Sequence, residues 1–211
     1  MWRFKSSSAH QLMAERLFLY ETPSQNMPGI EGFEIHRGIN TVLASQIIKK
    51  SREPEIVFAT PRDYQSRFTD IEALDSWLNE GRQIYPLVEM VGSDLAGIVW
   101  HGPKPFPAGG MYPISRQPAD TFGIRLYEGF RGRRLAIPFM EYCLADYVTT
   151  VAENGRAGEF HGIWLSTQPE RKKAYPLFKR FGYSEVARSD TEIIMVLLPD
   201  KIRDILRPES G

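Results

Sequence analysis

The stretch DTFGIRLYEGFRGRRLAIPFMEYCL, residues 120–144, carries two hydrophobic periods joined by a hinge of glycine and arginine. Phe122, Ile124 and Leu126 alternate with Gly123, Arg125 and Tyr127, which predicts a strand. Ala136, Phe139, Met140, Cys143 and Tyr147 recur at three- and four-residue spacing, which predicts a helix ending near Asn154-Gly155. Pro138 falls in its first turn, where a missing N–H costs little. A glycine-containing turn from strand into helix presents backbone N–H groups at the positive end of the helix dipole, and such a turn holds phosphates well. Arg131, Arg133 and Arg134 add bidentate phosphate donors. The bland alternative is a solvated, charged helix start. Cations are unfavourable at that end of a helix, so the arrangement points to an anionic partner.

The flanking sequence completes a mixed pattern. Upstream, FEIHRG reads as a short strand, INTVLASQIIKKS as a helix, EIVFATP from Glu55 as a strand, and ETPSQNMPGIEG as a turn-rich loop. DIEALDSWLNEG predicts a helix with Asp70 as its N-cap and Gly81 just past its end. In YPLVEMVGSDLAGIVWHGP two apolar runs are separated by Gly92, Ser93 and Asp94, which is hairpin chemistry. Downstream, HGIWLST predicts a strand, PERKKAYPLFKRFGY a helix and TEIIMVLLP a last strand before a short tail helix. Hairpin, strand, helix, strand, helix, strand describes an α/β fold with a mixed, mostly antiparallel sheet flanked by helices.

Composition narrows the function. At 211 residues the chain suits one domain over 1–211, with 1–40 as a loosely assigned N-terminal extension. Lysine plus arginine equals aspartate plus glutamate, 26 against 26, so no overall field draws the protein to nucleic acid or a membrane and any anion site must be local. The one cysteine, Cys143, excludes an internal disulfide and reads as a packed helix residue rather than a catalytic thiol. No apolar run reaches the roughly 18 residues of a membrane span. The first twenty residues lack a signal core, and Glu15 and Glu21 argue against a transit peptide despite Arg3 and Lys5, so the expected compartment is the cytoplasm.

Arg131-Gly132-Arg133-Arg134-Leu135-Ala136 resembles the pyrophosphate loop Q/R-x-x-G-x-G/A of the GNAT superfamily of N-acetyltransferases, with Arg134 in place of the usual glycine. Arg171 to Tyr183 is similar to a second family pattern, N-x-x-A-x-x-L-Y-x-K-x-G-F: Ala174, Leu177, Gly182 and Tyr183 fit, while Arg171 replaces asparagine and Phe178 replaces tyrosine. The resemblance covers about residues 85 to 198. It implies acetyl-coenzyme A as co-substrate and a small-molecule or protein amine as acceptor, with no metal. It further implies that Ile124, Arg125 and Leu126 bond the pantetheine and acetyl group through their backbone, and that Arg131 to Ala136, Arg171 and Phe178 also bind the co-substrate.

Such a site must take a proton from an amine, supply donors to the oxyanion and release a thiolate. A strand N–H serves as an oxyanion donor whatever its side chain, so Leu126 qualifies. Phe178 has no proton for the thiolate, which leaves Tyr175, one helical turn earlier, as the candidate acid; the alternative for Tyr175 is packing. Ser166 stands where some family members carry glutamate, and a lone serine is not a base. Glu89, Glu128 and His101 are the candidate bases, each with an ordinary surface or hairpin role as its alternative. Trp100, Phe106, Tyr112 and Trp164 read as packing, or else as an aromatic wall for the acceptor beneath the proline-rich loop GPKPFPAGGMYPISRQP. Lys172, Lys173, Lys179 and Arg180 read as a solvated helix face, or as steering for the adenosine 3′-phosphate. The competing functional class is a degenerate coenzyme A or phosphate-ligand domain acting as sensor or scaffold. An RNA-binding module built on FRGRR ranks third, given the balanced charge.

Overall fold

The computed structural model describes residues 30–107, 116–171 and 173–207, together with the backbone of 22–26. In chain order it comprises β1 (Thr22–Asn26), β2 (Phe33–Arg37), α1 (Thr41–Lys50), α2 (Pro54–Ala59), a π-helical turn (Asp63–Arg67), α3 (Ile71–Leu78), β3 (Gln83–Glu89) and β4 (Leu95–Pro103). These are followed by β5 (Asp120–Leu126), α4 (Ala136–Glu153), β6 (Ile163–Thr167), α5 (Ala174–Phe181), β7 (Ser184–Arg188), β8 (Ile193–Leu197) and α6 (Pro199–Leu206). The strands form one sheet in the order β1-β2-β3-β4-β5-β6-β8-β7. It is mixed and mostly antiparallel, as the sequence pattern predicts: β1/β2, β2/β3, β6/β8 and β7/β8 run antiparallel and β5/β6 parallel. The chain divides into two compact units.

The first unit takes residues up to Asn79, Gln83–Ile98 and Arg125–Arg131. Leu43, Ala44 and Ile47 of α1 and Leu74 and Trp77 of α3 are buried there, and Phe68 meets Trp77 edge-on at 5.2 Å. Both helices start on side-chain caps: Asn40 accepts from Leu43 N and Asp70 from Ala73 N. The β3–β4 turn is pinned by Gln46, which donates to Ser93 O at 3.1 Å and accepts from Leu95 N at 2.8 Å. Two expectations are corrected here. EIVFATP is not a strand: Pro54 opens a helix, Ile56 is buried and Phe58 is exposed, so the run has the one-sided burial of a short helix. Residues 22–26 of the expected loop form a strand instead, paired with β2 through the backbone, which needs no apolar side chains.

The second unit takes Glu80–Arg82, Val99–Ile124 and Gly132–Gly211. Phe139, Met140, Cys143, Leu144, Tyr147 and Val151 bury the predicted stripe of α4, and every residue of β8 is buried. Burial pushes the Cys143 thiol well above its ordinary pKa, which keeps it an inert core residue. Asp120, 1% exposed, is bonded by the Tyr147 hydroxyl at 2.6 Å and by Arg156 Nη2 at 3.1 and 3.2 Å, tying the start of β5 to α4. Trp100 lies so close over Gly123 that a Cβ there would come within 2.2 Å of the indole. Strand β7 has no counterpart in the sequence pattern: SEVAR is mostly polar and only partly buried, an edge strand whose register shifts between Glu185 and Ala187.

Candidate functional site

Within the first unit, β5 ends at Leu126 and the chain turns through Tyr127 to Arg131. Tyr127 N donates to Ala96 O at 3.0 Å, and Phe130 N donates to Tyr127 O at 3.2 Å. Gly97 allows a tight approach here, since a Cβ on it would lie 2.6 Å from Arg125 O. Arg131 folds back on this segment: its Nε donates to Leu126 O at 2.7 Å, its Nη2 stands 3.5 Å from Glu53 and its Nη1 pairs with Glu55. Glu53 also accepts from Glu128 N at 3.0 Å. The Arg125 side chain runs to Asp63, with Nε 2.7 Å from Oδ2. Glu128, one of the candidate bases, is exposed, and Glu89 is half-buried at the end of β3.

In the second unit, Gly132, Arg133 and Arg134 are exposed and Leu135 is buried. Gly132 has φ +80° and Arg134 φ +62°, the left-handed region that favours glycine. Arg134 therefore holds a left-handed backbone at the position where the resembled motif has glycine. Nothing lies within 4 Å of a Cβ built on Gly132. The first turn of α4 has no side-chain cap and no acidic residue, so its N–H groups and positive dipole end are uncompensated by side chains. Ile124 is half-buried in the second half of β5. Strands β5 and β6 pair at Asp120↔Ile163 and Thr121↔Trp164.

Of the other predicted residues, Phe178 is buried, with its ring edge-on to Phe122 at 6.2 Å and to Tyr183 at 5.9 Å. Tyr175 is half-buried; its hydroxyl bonds Glu185, which raises its pKa, and its ring lies 5.3 Å from the Arg188 guanidinium. Arg171 donates through Nε to Gln168 at 3.2 Å. His101 is 1% exposed, stacked on Tyr147 at 4.6 Å, and burial lowers its pKa to about 3, so it is neutral and lies in the core. Ser166 is exposed. Trp100, Phe106 and Trp164 are core residues, with Phe106 edge-on to Trp164 at 5.8 Å. Lys173, Lys179 and Arg180 are exposed on and beside α5; Lys172 and Tyr112 lie outside the described residues.

Sequence reasoning missed Glu53, Glu55, Asp63 and Arg67. Asp63 and Arg67 sit four residues apart in a π-helical turn, a form that clusters at functional sites. Glu53 and Glu55 reach Arg131 across more than seventy residues of sequence, a separation no local pattern reveals.

No family model and no curated protein matches this chain. Solved structures do. The spermidine N-acetyltransferase of Vibrio cholerae in complex with CoA and spermine aligns over 82% of this chain and 99% of its own, with 14% identity and a TM-score of 0.58. A putative GNAT-family acetyltransferase of Desulfovibrio desulfuricans aligns over 79% of this chain and 98% of its own at 20% identity and a TM-score of 0.52. FdhC, a nucleotide-linked sugar GNAT, aligns over 81% and 89% at 13% identity and a TM-score of 0.52. The fold is that of the GNAT acetyltransferases. Among the described residues no helix is long and apolar enough to cross a membrane.

Proposed function

We propose that this chain, having the GNAT fold, binds acetyl-coenzyme A and transfers the acetyl group to an amine on a small molecule or a protein. The observation that carries the reading is the loop before α4. An arginine holds a glycine-like φ of +62° at the fourth motif position, and the helix behind it starts with neither cap nor acid. A non-glycine residue in that region is uncommon and costs energy, and an uncapped helix start favours a bound anion. Gly132, with open space where a Cβ would stand, fits a pyrophosphate bonded mainly by backbone N–H groups of residues 132–136.

The co-substrate supplies an activated thioester carbonyl. The chain's own contribution is placement: the backbone of Ile124, Arg125 and Leu126 orients the acyl arm, and an N–H at the end of β5 donates to the developing oxyanion. Arg133 and Arg134, both exposed, add salt-sensitive phosphate contacts. Tyr175 is the hydroxyl nearest in sequence to the phenylalanine that replaces the motif tyrosine.

Thermal unfolding with and without acetyl-coenzyme A tests the reading. A ligand at about 100 times its Kd stabilises by roughly 2.7 kcal/mol, and Gly132→Asp, which puts a carboxylate beside the phosphates, abolishes that shift in folded protein. No shift at saturation overturns the proposal. A second reading, a coenzyme A binder without turnover, is favoured by Phe178 in its aromatic cluster and by the Tyr175 hydroxyl held on Glu185. Thiol release with a panel of amines separates the two.

A further inference from the structure

The π-helical turn of the first unit carries a charge cluster. Asp63 is 0% exposed, and a buried carboxylate needs a countercharge. Arg125 supplies one through Nε at 2.7 Å from Oδ2. Yet Arg67 Nη1 also approaches Oδ1, at 3.2 Å, with three-quarters of its side chain out of water. Arg62 adds a third guanidinium near enough to act on Arg67. Two guanidiniums thus engage one carboxylate, and the exposed Arg62 adds a surplus of positive charge beside Arg67. Arg67 feels the surplus: its pKa is lowered, first by loss of water and then, against the pull of Asp63, by the charges of Arg125 and Arg62. Among the described residues the Arg67 guanidinium bonds Asp63 alone, through Nη1, so Nε and Nη2 keep donors to offer.

The location gives this surplus a use. Arg125 is the β5 residue whose backbone the proposed function assigns to the acyl arm, and its side chain is the link from that strand to Asp63. On that reading the cluster lies at the far end of the Arg125 side chain from the backbone that holds the acyl arm. We infer that the acceptor amine carries a carboxylate or phosphate group and that Arg67, oriented by Asp63 and assisted by Arg62, receives this group. A guanidinium is the side chain suited to either oxyanion, because its planar fork donates two parallel bonds. The same charge repels a polyamine, which offers only cations. Asp63 is then a positioning residue: each of its oxygens holds one arginine, fixing the direction of the Arg67 fork.

This inference rests on the acetyltransferase reading, and its test is built to fail separately. Acetyl transfer is measured on matched amines: glycine against glycinamide, glucosamine 6-phosphate against glucosamine, and spermidine alone. The anionic member of at least one pair is expected to be favoured by roughly tenfold or more in kcat/KM, as for loss of one charged hydrogen bond. Which pair responds tells carboxylate from phosphate. In Arg67→Gln that ratio falls toward one through KM, and Arg67→Lys restores part of it. Preference for the neutral members or for spermidine, or an anionic preference unchanged in Arg67→Gln, overturns the inference. Protein saturated with coenzyme A is also titrated with glutarate and with inorganic phosphate while Tm is followed, a readout independent of turnover. A saturable rise in wild type that Arg67→Gln abolishes supports the site, and no rise with either anion overturns it. Failure of the parent reading appears elsewhere, as absence of any stabilisation by acetyl-coenzyme A itself.

Discussion

The carboxylate of Glu53 accepts a hydrogen bond from the backbone N–H of Glu128 at 3.0 Å, and the same oxygen stands 3.5 Å from Arg131. A side chain just ahead of α2 thus holds an anion against the turn after β5, on the residue that opens the proposed phosphate loop. On the proposed reading, Glu53 would compete with a pyrophosphate for Arg131. Glu53→Gln keeps an acceptor for Glu128 N–H and removes the competing charge. Coenzyme A affinity should rise roughly threefold, in line with a partly exposed ion pair. Isothermal titration at low and high salt checks this, and an unchanged or weaker Kd speaks against the competition.

Arg134 at φ +62° makes a backbone prediction. The left-handed region costs a residue with a Cβ about 1–2 kcal/mol, and glycine gives back roughly 0.5–1 kcal/mol in chain entropy. Arg134→Gly should therefore be neutral to slightly stabilising in urea denaturation. Arg134→Val, whose branched Cβ tolerates this region worst, should lose at least 1 kcal/mol, of the order of the same left-handed cost. Coenzyme A titration of Arg134→Gly further tests whether the side chain limits approach of the phosphates: tighter binding says that it does.

The thiolate-protonating group is tested at Phe178 and Tyr175. Phe178→Tyr introduces a phenol where the motif has one, and a placed proton donor contributes about 10²-fold or more to the chemical step. Single-turnover rates should rise, even where product release hides the gain at steady state. Tyr175→Phe should have the smaller effect, because the bond to Glu185 raises the phenol's pKa and makes it the weaker acid. A hundredfold loss in Tyr175→Phe would instead assign the proton to Tyr175.

His101 predicts a pH dependence. Its folded pKa, about 3, is depressed by burial below the ordinary value near 6.5. The unfolded chain therefore takes up a proton that the folded chain refuses. The contribution of neutral His101 is fully present above pH 6.5, declines as pH falls below it, and levels off below about pH 3. Between pH 7.5 and pH 5 this amounts to about 2 kcal/mol. His101→Phe, which keeps a ring for the stack on Tyr147, should flatten denaturant-measured stability over that interval; an unaltered slope assigns the acid sensitivity to other groups.

The parts of the fold legible in the sequence are those with a strong period or a side-chain stop signal. The β5 alternation, the α4 stripe and the Asp70 cap needed no tertiary information. Strands β7 and β1 are recruited by backbone pairing at the sheet's ends, which leaves little mark on polar side chains. The apolar run at Glu55 is too short for period to separate helix from strand, and Pro54 decided it. In the candidate site, the loop from Arg131 to Ala136 stood out because glycine and arginine at a helix start are chemically conspicuous. The carboxylates that engage Arg131 and Arg125 did not, because Glu53, Glu55 and Asp63 come from a segment with no motif and meet their partners only through folding.

The indole of Trp100 occupying the place of a side chain at Gly123 has a consequence for descent. Neither position can drift alone: any residue gained at 123 collides with the ring, and a smaller residue at 100 alone opens a void on the buried strand. Relatives of this chain should therefore change the two sites in concert, so that the pair, compared across diverged sequences, marks a lineage as this one independently of the loop that carries the arginines.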